Sequence, residues 1–368
     1  MKKKIFAGII GCGKISGVYT QTLQKFSSLE VIACADLNRN IADAHKSKWG
    51  IKKSCSVDEL LSDREIDLVI ILTPPATHAE LSRKALEHNK HVYCEKPLAL
   101  NRKDAGEIVQ IAKNSGLVVG CAPDTVLGAG LQTARKIMDE GCIGELTGVS
   151  AFMLTAGPES WHPNPFFLYD IGGGPLFDMG PYYLTALIHL LGPVKRVAAL
   201  GGVGQKERSV GSGPCAGSKI PVNVHTHLSC ILAFVSGTLC SLTLSFDAPG
   251  QTTAPKIEIY GTRGTLVLSD PNTFGENVLI RTAGEKDFSP VDMIHGYTDN
   301  CRGIGAAELA AAIRHDRTSR TNASTALHVV DIMQALDESA KSFQFISTQT
   351  TCDRPLPFRC DTLWEISS

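Results

Sequence analysis

A glycine-rich turn near the start of the chain has the residue types and spacing that bind a phosphate group. Residues 11–16 read G-x-G-x-x-S and directly follow the apolar run KIFAGII. In such a turn the first glycine permits a sharp bend and the second lets a pyrophosphate approach the backbone, while the amides of the following helix meet the anion. The expected contacts are Gly11, Cys12, Gly13, Lys14 and Ile15.

An acidic residue follows the next apolar run. Asp36 ends the segment LEVIACAD, about 20 residues after the glycine turn, where a carboxylate can accept hydrogen bonds from both hydroxyls of a ribose. The same charge repels a 2′-phosphate, so the pattern predicts dinucleotide binding and favours NAD over NADP. Arg39 leaves NADP as an alternative cofactor, because a guanidinium can pair with a phosphate. The alternative role for Asp36 is an N-cap of the following helix.

Two more predicted strands end in residues that face the same cleft. The run DLVIIL is followed by Thr73, Pro74 and Pro75, and then by His78. Because the ligands of a parallel sheet lie at the carboxyl ends of its strands, we expect these four residues to line the cofactor groove. The alternative for His78 is a place in the first turn of the next helix without contact to the cofactor.

The run HVYC is followed by Glu95 and Lys96. Both are expected at the cofactor edge of the sheet, with the Lys96 ammonium beside the nicotinamide. There it could stabilise alkoxide character on a substrate. It could also lower the pKa of a neighbouring tyrosine below its ordinary value of about 10. The alternative is a surface lysine beside a turn.

A parallel sheet is needed to bring these residues together, and the first 120 residues predict one. Continuous apolar strands alternate with helices such as THAELSRKALEHN, which is typical of a doubly wound α/β Rossmann domain. After Pro123 the pattern changes to alternating stretches such as THLSCILAFV, which predict antiparallel strands. We therefore predict a Rossmann domain over 1–123 and an α+β domain with a large, mainly antiparallel open sheet over 124–368. The second domain would bind the substrate and form the oligomer contact.

Composition excludes several classes of protein. The 368 residues include 36 Lys+Arg and 37 Asp+Glu, a balance that argues against nucleic acid held through overall positive charge. No apolar run approaches the ~20 residues of a membrane helix, and the start lacks a signal-peptide cleavage site, so we expect a cytoplasmic protein. The twelve cysteines form no C-x-x-C and are expected to be reduced. His225 and His227 would share one strand face, but with no evident third ligand we expect no metal.

Together these motifs resemble the Gfo/Idh/MocA family, that of glucose–fructose oxidoreductase and inositol dehydrogenase. The resemblance rests on the glycine turn, TPPATH, CEKPLA and the second-domain signature GGGPLFDMGPYY, and it covers nearly the whole chain. It implies that Lys96 is the catalytic lysine and that Asp178 is the active-site aspartate. The family's usual catalytic histidine falls on Tyr182, as in the branches that use tyrosine. Thr185 replaces a further aspartate, which makes an inositol substrate less favoured.

The resemblance also suggests how the second domain contributes to the site. If DMGPYYLTAL is one helix, Asp178 and Tyr182 share a face, whereas Tyr183 points about 100° away and packs. Trp161 offers an apolar platform for a sugar, with His162 and Asn164 as hydrogen-bond partners. A structural loop role for His162 is the alternative.

Asp124 follows the last strand of the first domain and is expected either to contact the substrate beside the nicotinamide or to cap a turn. His189, in ALIHLLG, is expected to pack inside a helix bundle.

The implied activity is hydride transfer between NAD and a secondary alcohol or ketone of a sugar, sugar derivative or glycoside. Lys96, Asp178 and Tyr182 would be catalytic and would contact the substrate. The alternatives are a trans-dihydrodiol dehydrogenase, suggested by the tyrosine, and a non-catalytic NAD-binding sensor. Relatives pair through the open face of the large sheet, and the strands here are apolar on both faces. We therefore expect a homodimer or homotetramer without nucleic-acid or membrane partners.

Overall fold

The computed structural model describes residues 4–249, 252–254, 256–358 and 365. The basic start at residues 1–3 and Cys360 lie outside the described residues. Within that part of the chain, no helix has both the length and the apolar composition needed to cross a membrane.

The first part of the chain forms a six-stranded parallel sheet with the strand order β3-β2-β1-β4-β5-β6. Its central strands are continuous apolar runs that are buried on both faces; every residue of β4 is buried. The predicted doubly wound sheet is therefore confirmed. The strands are β1 (Ile5–Ile10), β2 (Leu29–Ala35), β3 (Lys53–Cys55), β4 (Leu68–Ile71), β5 (His91–Cys94) and β6 (Val119–Cys121).

Helices alternate with these strands, and local signals mark their ends. A capping box between Ser56 and Glu59 begins α3, while Gly50 and Gly116 end α2 and α5 in the left-handed conformation that glycine tolerates best. The helices are α1 (Lys14–Leu23), α2 (Arg39–Trp49), α3 (Val57–Ser62), α4 (His78–Glu87) and α5 (Arg102–Ser115).

A nine-stranded sheet dominates the rest of the molecule, in the order β16-β15-β14-β13-β7-β12-β11-β8-β17. Its strand pairs are antiparallel except for β7 with β12, which confirms the predicted α+β architecture. The strands are β7 (Leu146–Leu154), β8 (Val194–Gly202), β11 (His227–Phe234), β12 (Leu239–Ser245), β13 (Ile257–Gly261), β14 (Gly264–Leu268), β15 (Val278–Thr282), β16 (Ser289–Val291) and β17 (Ile346–Ser347); β9 (Glu207–Ser209) and β10 (Lys219–Pro221) pair separately.

In the described part of the chain, five further α-helices occur alongside the large sheet, and two of them also contact strands of the parallel sheet. They are α6 (Ala129–Asp139), α7 (Gly174–Asp178), α8 (Gly180–Leu191), α9 (Ile304–His315) and α10 (Ala323–Ser342). The last helix, α10, packs on β8 and also on α5, where Arg102 Nε lies 2.5 Å from the fully buried Asp331 carboxylate. The Cys121 amide also donates to the Thr321 carbonyl at 2.8 Å. Elements near the end of the chain therefore contact the first sheet. The domain boundary after residue 123 stays a prediction.

Candidate active site

The glycine turn has the shape that a pyrophosphate requires. Gly11 has φ +97°, and a Cβ there would come within 2.8 Å of the Leu72 backbone, so only glycine fits. A Cβ on Gly13, in contrast, would meet no described atom within 4 Å, which leaves that side of the turn open. Helix α1 begins directly afterwards at Lys14, and Gly13 has no side chain to cap its first amides. The Ser16 amide donates to the Gly13 carbonyl at 3.2 Å, which leaves the amides of Lys14 and Ile15 to meet the phosphates of NAD.

Asp36 lies at the end of β2 and is tied to the glycine turn. Its two carboxylate oxygens accept hydrogen bonds from the Cys12 and Asn38 amides, each at 2.9 Å. Asn38, not Asp36, caps α2 through a bond from the Asn40 amide, so the alternative role of Asp36 as the N-cap is wrong. The bond to Cys12 fixes the carboxylate beside the turn, where the remaining lone pairs of its oxygens can meet a ribose.

Arg39 already has two hydrogen-bond partners within the protein. Its guanidinium donates to the Ser54 carbonyl at 2.7 Å and to the Asp43 carboxylate at 3.3 Å. A 2′-phosphate would have to compete with both partners. The contacts of Asp36 and Arg39 therefore both fit a cofactor without that phosphate.

Two adjoining cavities form a continuous groove along the carboxyl edge of the parallel sheet. The larger one, about 490 Å³, is lined by Gly11, Gly13 and Asp36 together with Thr73 and Pro74. The smaller one, about 130 Å³, shares Pro74. It continues past Pro75 to Lys96 and Asp178. Apart from Lys96 and Asp178, its described lining residues are apolar or glycine.

His78 lies beneath this groove and does not line it. The ring is fully buried, with Nδ1 2.7 Å from the Pro97 carbonyl oxygen and Nε2 2.7 Å from the Thr73 carbonyl oxygen. The ring thus bridges the chain segments that follow β4 and β5. Its predicted contact with the cofactor is corrected to a structural role, because both ring nitrogens are used within the protein.

Lys96 joins the two parts of the site. Its Nζ lies 2.9 Å from Asp178 Oδ1, 2.6 Å from the Asp178 carbonyl oxygen and 5.1 Å from the centre of the Tyr182 ring. Burial lowers the pKa of Lys96, but Asp178 and Tyr182 raise it more strongly, and the net pKa is raised. The ammonium is therefore charged at neutral pH. Glu95 fixes the same turn by accepting from the Tyr19 hydroxyl at 2.7 Å and from the Lys96 amide at 2.9 Å.

Asp178 and Tyr182 do not lie on one continuous helix as predicted. Helix α7 ends at Asp178, Met179 connects, and α8 begins at Gly180. Lys96 nevertheless contacts both residues. On α8, Tyr183 is buried and donates to the Phe152 carbonyl at 3.1 Å, and His189 is buried as predicted.

The environment of Tyr182 differs from the expectation. Burial raises its pKa, and although Lys96 and Arg302 oppose this effect, the net pKa is raised above the ordinary value. The predicted lowering is therefore wrong, because the loss of solvent around a nearly buried phenol outweighs the two cations. Arg302 had no signal in the sequence, since its segment, TDNCRGIGA, carries no motif that identifies an arginine with a functional role.

Asp124 supports the backbone instead of facing the groove. Its buried carboxylate accepts from the Gly303 amide at 2.7 Å and from the Gly305 amide at 3.0 Å. Burial raises its pKa to about 6 although these two bonds lower it. The predicted substrate contact is therefore corrected to a structural one at the start of α9.

An exposed aromatic segment borders the cavity beside Lys96. Trp161 is 64% exposed, and its ring makes a T-shaped contact with the His162 ring, with the ring centres 5.6 Å apart. His162 in turn lies 5.6 Å from the ring of Phe167, which lines the cavity. The His162 Nδ1 also accepts from the Asn164 amide at 3.1 Å, and Asn164 itself is exposed. The sequence analysis missed Phe167, because FF alone does not separate a wall residue from a core residue.

Comparison with known proteins matches both parts of the chain. The family described as "Oxidoreductase family, NAD-binding Rossmann fold" matches residues 5–122, and the "GFO/IDH/MocA C-terminal domain" matches residues 131–267. The chain belongs to the Gfo/Idh/MocA oxidoreductase family. Its first sheet is therefore the NAD-binding Rossmann fold of that family, and the residues around the glycine turn fit this cofactor.

Two curated relatives are named for reactions of sugars. Levoglucosan dehydrogenase of Pseudarthrobacter phenanthrenivorans is 27% identical over 64% of this chain and 64% of its own length. The 1,5-anhydro-D-fructose reductase of Ensifer adhaerens is 27% identical over 71% of this chain and 74% of its own. The matched region spans less than two thirds of several curated relatives, including 59% of an uncharacterised oxidoreductase of Schizosaccharomyces pombe.

A solved structure shares the fold over almost the whole chain. Levoglucosan dehydrogenase in complex with NADH and L-sorbose superimposes with a TM-score of 0.81 at 21% identity, covering 95% of this chain and 100% of that one. Among the residues described here, no three histidine, cysteine, aspartate or glutamate side chains group as a metal site. This includes His225 and His227, the pair singled out in the sequence.

Proposed function

We propose that this protein is an NAD-dependent oxidoreductase that interconverts a secondary alcohol and a ketone of a sugar, sugar derivative or glycoside. The observation that carries the proposal is the contact of Lys96 with both Asp178 and Tyr182, at the end of the groove that begins at the glycine turn. The names of two relatives, levoglucosan dehydrogenase and 1,5-anhydro-D-fructose reductase, support a sugar as the substrate class.

Lys96, Asp178 and Tyr182 have different roles in the proposed reaction. Bound NAD supplies the redox chemistry as acceptor or donor of hydride. The Tyr182 oxygen takes the hydroxyl proton when an alcohol is oxidised and returns it when a ketone is reduced. The Lys96 ammonium stabilises negative charge that develops on the substrate oxygen, and Asp178 holds the ammonium in place through the 2.9 Å contact.

The cavity supports an uncharged substrate with an apolar face. Phe167, Ile171 and Phe177 form much of its wall, and Lys96 is the cation among its described lining residues. An apolar wall suits the CH face of a sugar ring or an apolar aglycone, and one cation already paired with Asp178 has little to offer a phosphate. We therefore propose a neutral sugar or glycoside over a sugar phosphate.

The proposal is tested by following nicotinamide absorbance in the presence of NAD and a panel of sugars, anhydrosugars, glycosides and aromatic dihydrodiols. Lys96→Met is the paired control, because it keeps the groove and removes the ammonium. We expect at least one neutral sugar or glycoside to reduce NAD in the parent and not in Lys96→Met. Turnover confined to dihydrodiols would overturn the sugar assignment.

One observation favours a second candidate, a trans-dihydrodiol dehydrogenase. The apolar wall of Leu100, Phe167, Ile171 and Phe177 could hold an aromatic ring, and Tyr182 takes the place of the usual histidine. A non-catalytic NAD sensor is not favoured, because a protein without turnover has no need to keep Lys96, Asp178 and Tyr182 in mutual contact.

A further inference from the structure

The mouth of the cavity beside Lys96 is apolar. Among the described residues that line this cavity, the exposed ones are Pro74, Ala76, Phe167 and Ile171. Their side chains neither donate nor accept hydrogen bonds. Phe167 is 50% exposed and Ile171 is 87% exposed, so both leave much of a large apolar side chain in contact with water.

Trp161 extends this apolar surface beyond the cavity. The rings of Trp161 and Phe167 each lie 5.6 Å from the His162 ring, measured between ring centres. We call Trp161, Phe167 and Ile171 the mouth patch. An exposed apolar patch that adjoins a cavity is typical of a binding surface.

The chain segment between Phe167 and Ile171 is fixed by contacts inside the protein. Tyr169 is fully buried, and its hydroxyl donates to the Glu159 carboxylate. The Tyr169 carbonyl accepts from the Asn223 amide at 2.9 Å. Binding at the mouth patch therefore does not require this segment to become ordered first, which favours affinity.

Arg208 connects the same segment to the large sheet. Its buried guanidinium lies 5.6 Å from the centre of the Tyr169 ring and donates to Glu159 Oε1 at 2.7 Å. It also donates to the carbonyl of Phe246, the residue directly after β12, at 3.1 Å. These polar groups are used for anchoring, whereas the apolar side chains of the segment line the mouth.

We propose that the mouth patch binds the apolar aglycone, aryl or alkyl, of a neutral glycoside whose sugar ring enters the cavity and reacts beside Lys96. A substituent on a sugar held there has to leave through the mouth, and so it passes Phe167 and Ile171. This inference rests on the proposed function, since it names the substrate class of the same site.

The chemistry of the mouth favours an aglycone over a second sugar unit. The hydroxyls of a second sugar would lose hydrogen bonds to water there and would gain none from the exposed lining side chains. An aryl or alkyl group instead removes apolar surface from water, on the ligand and on the protein alike.

A comparison of matched glycosides tests the proposal. The substrates are methyl glucoside, phenyl glucoside and a glucose disaccharide, each as both anomers, with NAD. We expect kcat/KM for the phenyl glucoside to exceed that for the methyl glucoside and for the disaccharide about 10-fold or more. Ile171→Asn and Phe167→Ser should each lower the ratio of phenyl to methyl glucoside about 5-fold or more. Leu356→Asn is the matched control, because Leu356 is 69% exposed and does not line the cavity, and it should keep the parental ratio.

Calorimetric binding of the same glycosides to the NADH-loaded protein needs no turnover. Equal affinity and equal kcat/KM for the methyl and phenyl glucosides would overturn the inference and leave the proposed function standing, and binding of no glycoside would also overturn it. Variants that weaken NADH or change the oligomeric state at an unaltered ratio would assign the patch to the cofactor or to a second copy. If the parent binds the phenyl glucoside selectively through Ile171 and oxidises no glycoside, the proposed function fails and the aglycone site stands.

Discussion

The Lys96 ammonium lies 2.9 Å from the Asp178 carboxylate, which joins the end of a Rossmann strand to the end of a helix from the second part of the chain. Both side chains are mostly buried, at 15% and 27% exposure, so water screens the pair only in part. The charge of each side chain therefore depends more on its partner than it would in a surface ion pair. Removing one partner leaves the other as a poorly solvated charge.

Replacing Lys96 with Met tests the role of the ammonium. We expect turnover to fall by roughly 10²-fold or more, the scale of losing a positioned group that stabilises charge in the transition state. NAD affinity, measured by calorimetry, should change little, because the glycine turn and Asp36 are untouched. Asp178→Asn is the control for the unpaired carboxylate. Parental kcat in Lys96→Met would remove Lys96 from the mechanism.

Asp36 should set the preference for NAD. Asp36→Ser removes the ribose acceptor and the charge that repels a 2′-phosphate, so NAD should bind about 10-fold more weakly and NADP relatively better. Because Asp36 also holds the Cys12 and Asn38 amides, Asp36→Asn serves as a control that keeps an acceptor for the turn. Titration of each protein with both nucleotides decides the matter. A parent that binds NADP more tightly than NAD would contradict the prediction.

Local motifs explain which parts of this site could be predicted from the sequence. The glycine turn and the position of Lys96 at the end of β5 follow from short segments whose strand–turn–helix pattern is local. The break at Met179 could not be predicted, since GPYYLTAL continues the helical pattern and Pro181 is acceptable in a first turn.

Roles that depend on distant contacts were also beyond the sequence. The Asp124 carboxylate accepts hydrogen bonds from amides about 180 positions further along the chain, a contact that exists only in the folded structure. The pKa of Tyr182 depends on burial competing with charge, a balance that needs the packed structure. His78 could line a groove or lie below it, and only packing decides between the two.

Asp124 should make stability depend on pH in an unusual direction. Its folded pKa of about 6 lies above the ordinary value of 3.8, so the folded state holds its proton longer than the unfolded state does. Stability from this group is therefore full below the ordinary pKa and is lost as pH rises towards 6, by about 3 kcal/mol. The Asp124→Asn variant keeps a hydrogen-bond acceptor but has no carboxyl group to titrate, so it should not show this loss of stability. Thermal midpoints across that pH range should show the parent losing stability relative to the variant, and a constant difference would contradict the assignment.

The outer face of the large sheet should form the contact between protomers. Leu200, Ile231 and Leu239 share that face and are 44–61% exposed, which is a sizeable apolar surface for a single chain. We expect a homodimer or homotetramer by light scattering at micromolar concentration, and Ile231→Lys should dissociate it. Ile41→Lys is the matched control, since Ile41 is similarly exposed, at 42%, on α2. A monomeric parent would contradict the prediction.

Tyr182→Phe is the most direct test of the proton-transfer step. The change removes one hydroxyl and keeps the packed ring, so stability should change little while turnover falls by roughly 10²-fold. Because burial raises the pKa of Tyr182, oxidation should rise with pH towards a value above the ordinary tyrosine pKa, whereas reduction should stay flat near neutral pH and fall only above that value. Lys96→Met should move both limbs further up, since a cation that favours the phenolate is lost. A fully active Tyr182→Phe would exclude Tyr182 as the acid–base group, and His162 at the rim of the cavity would be the next residue to test.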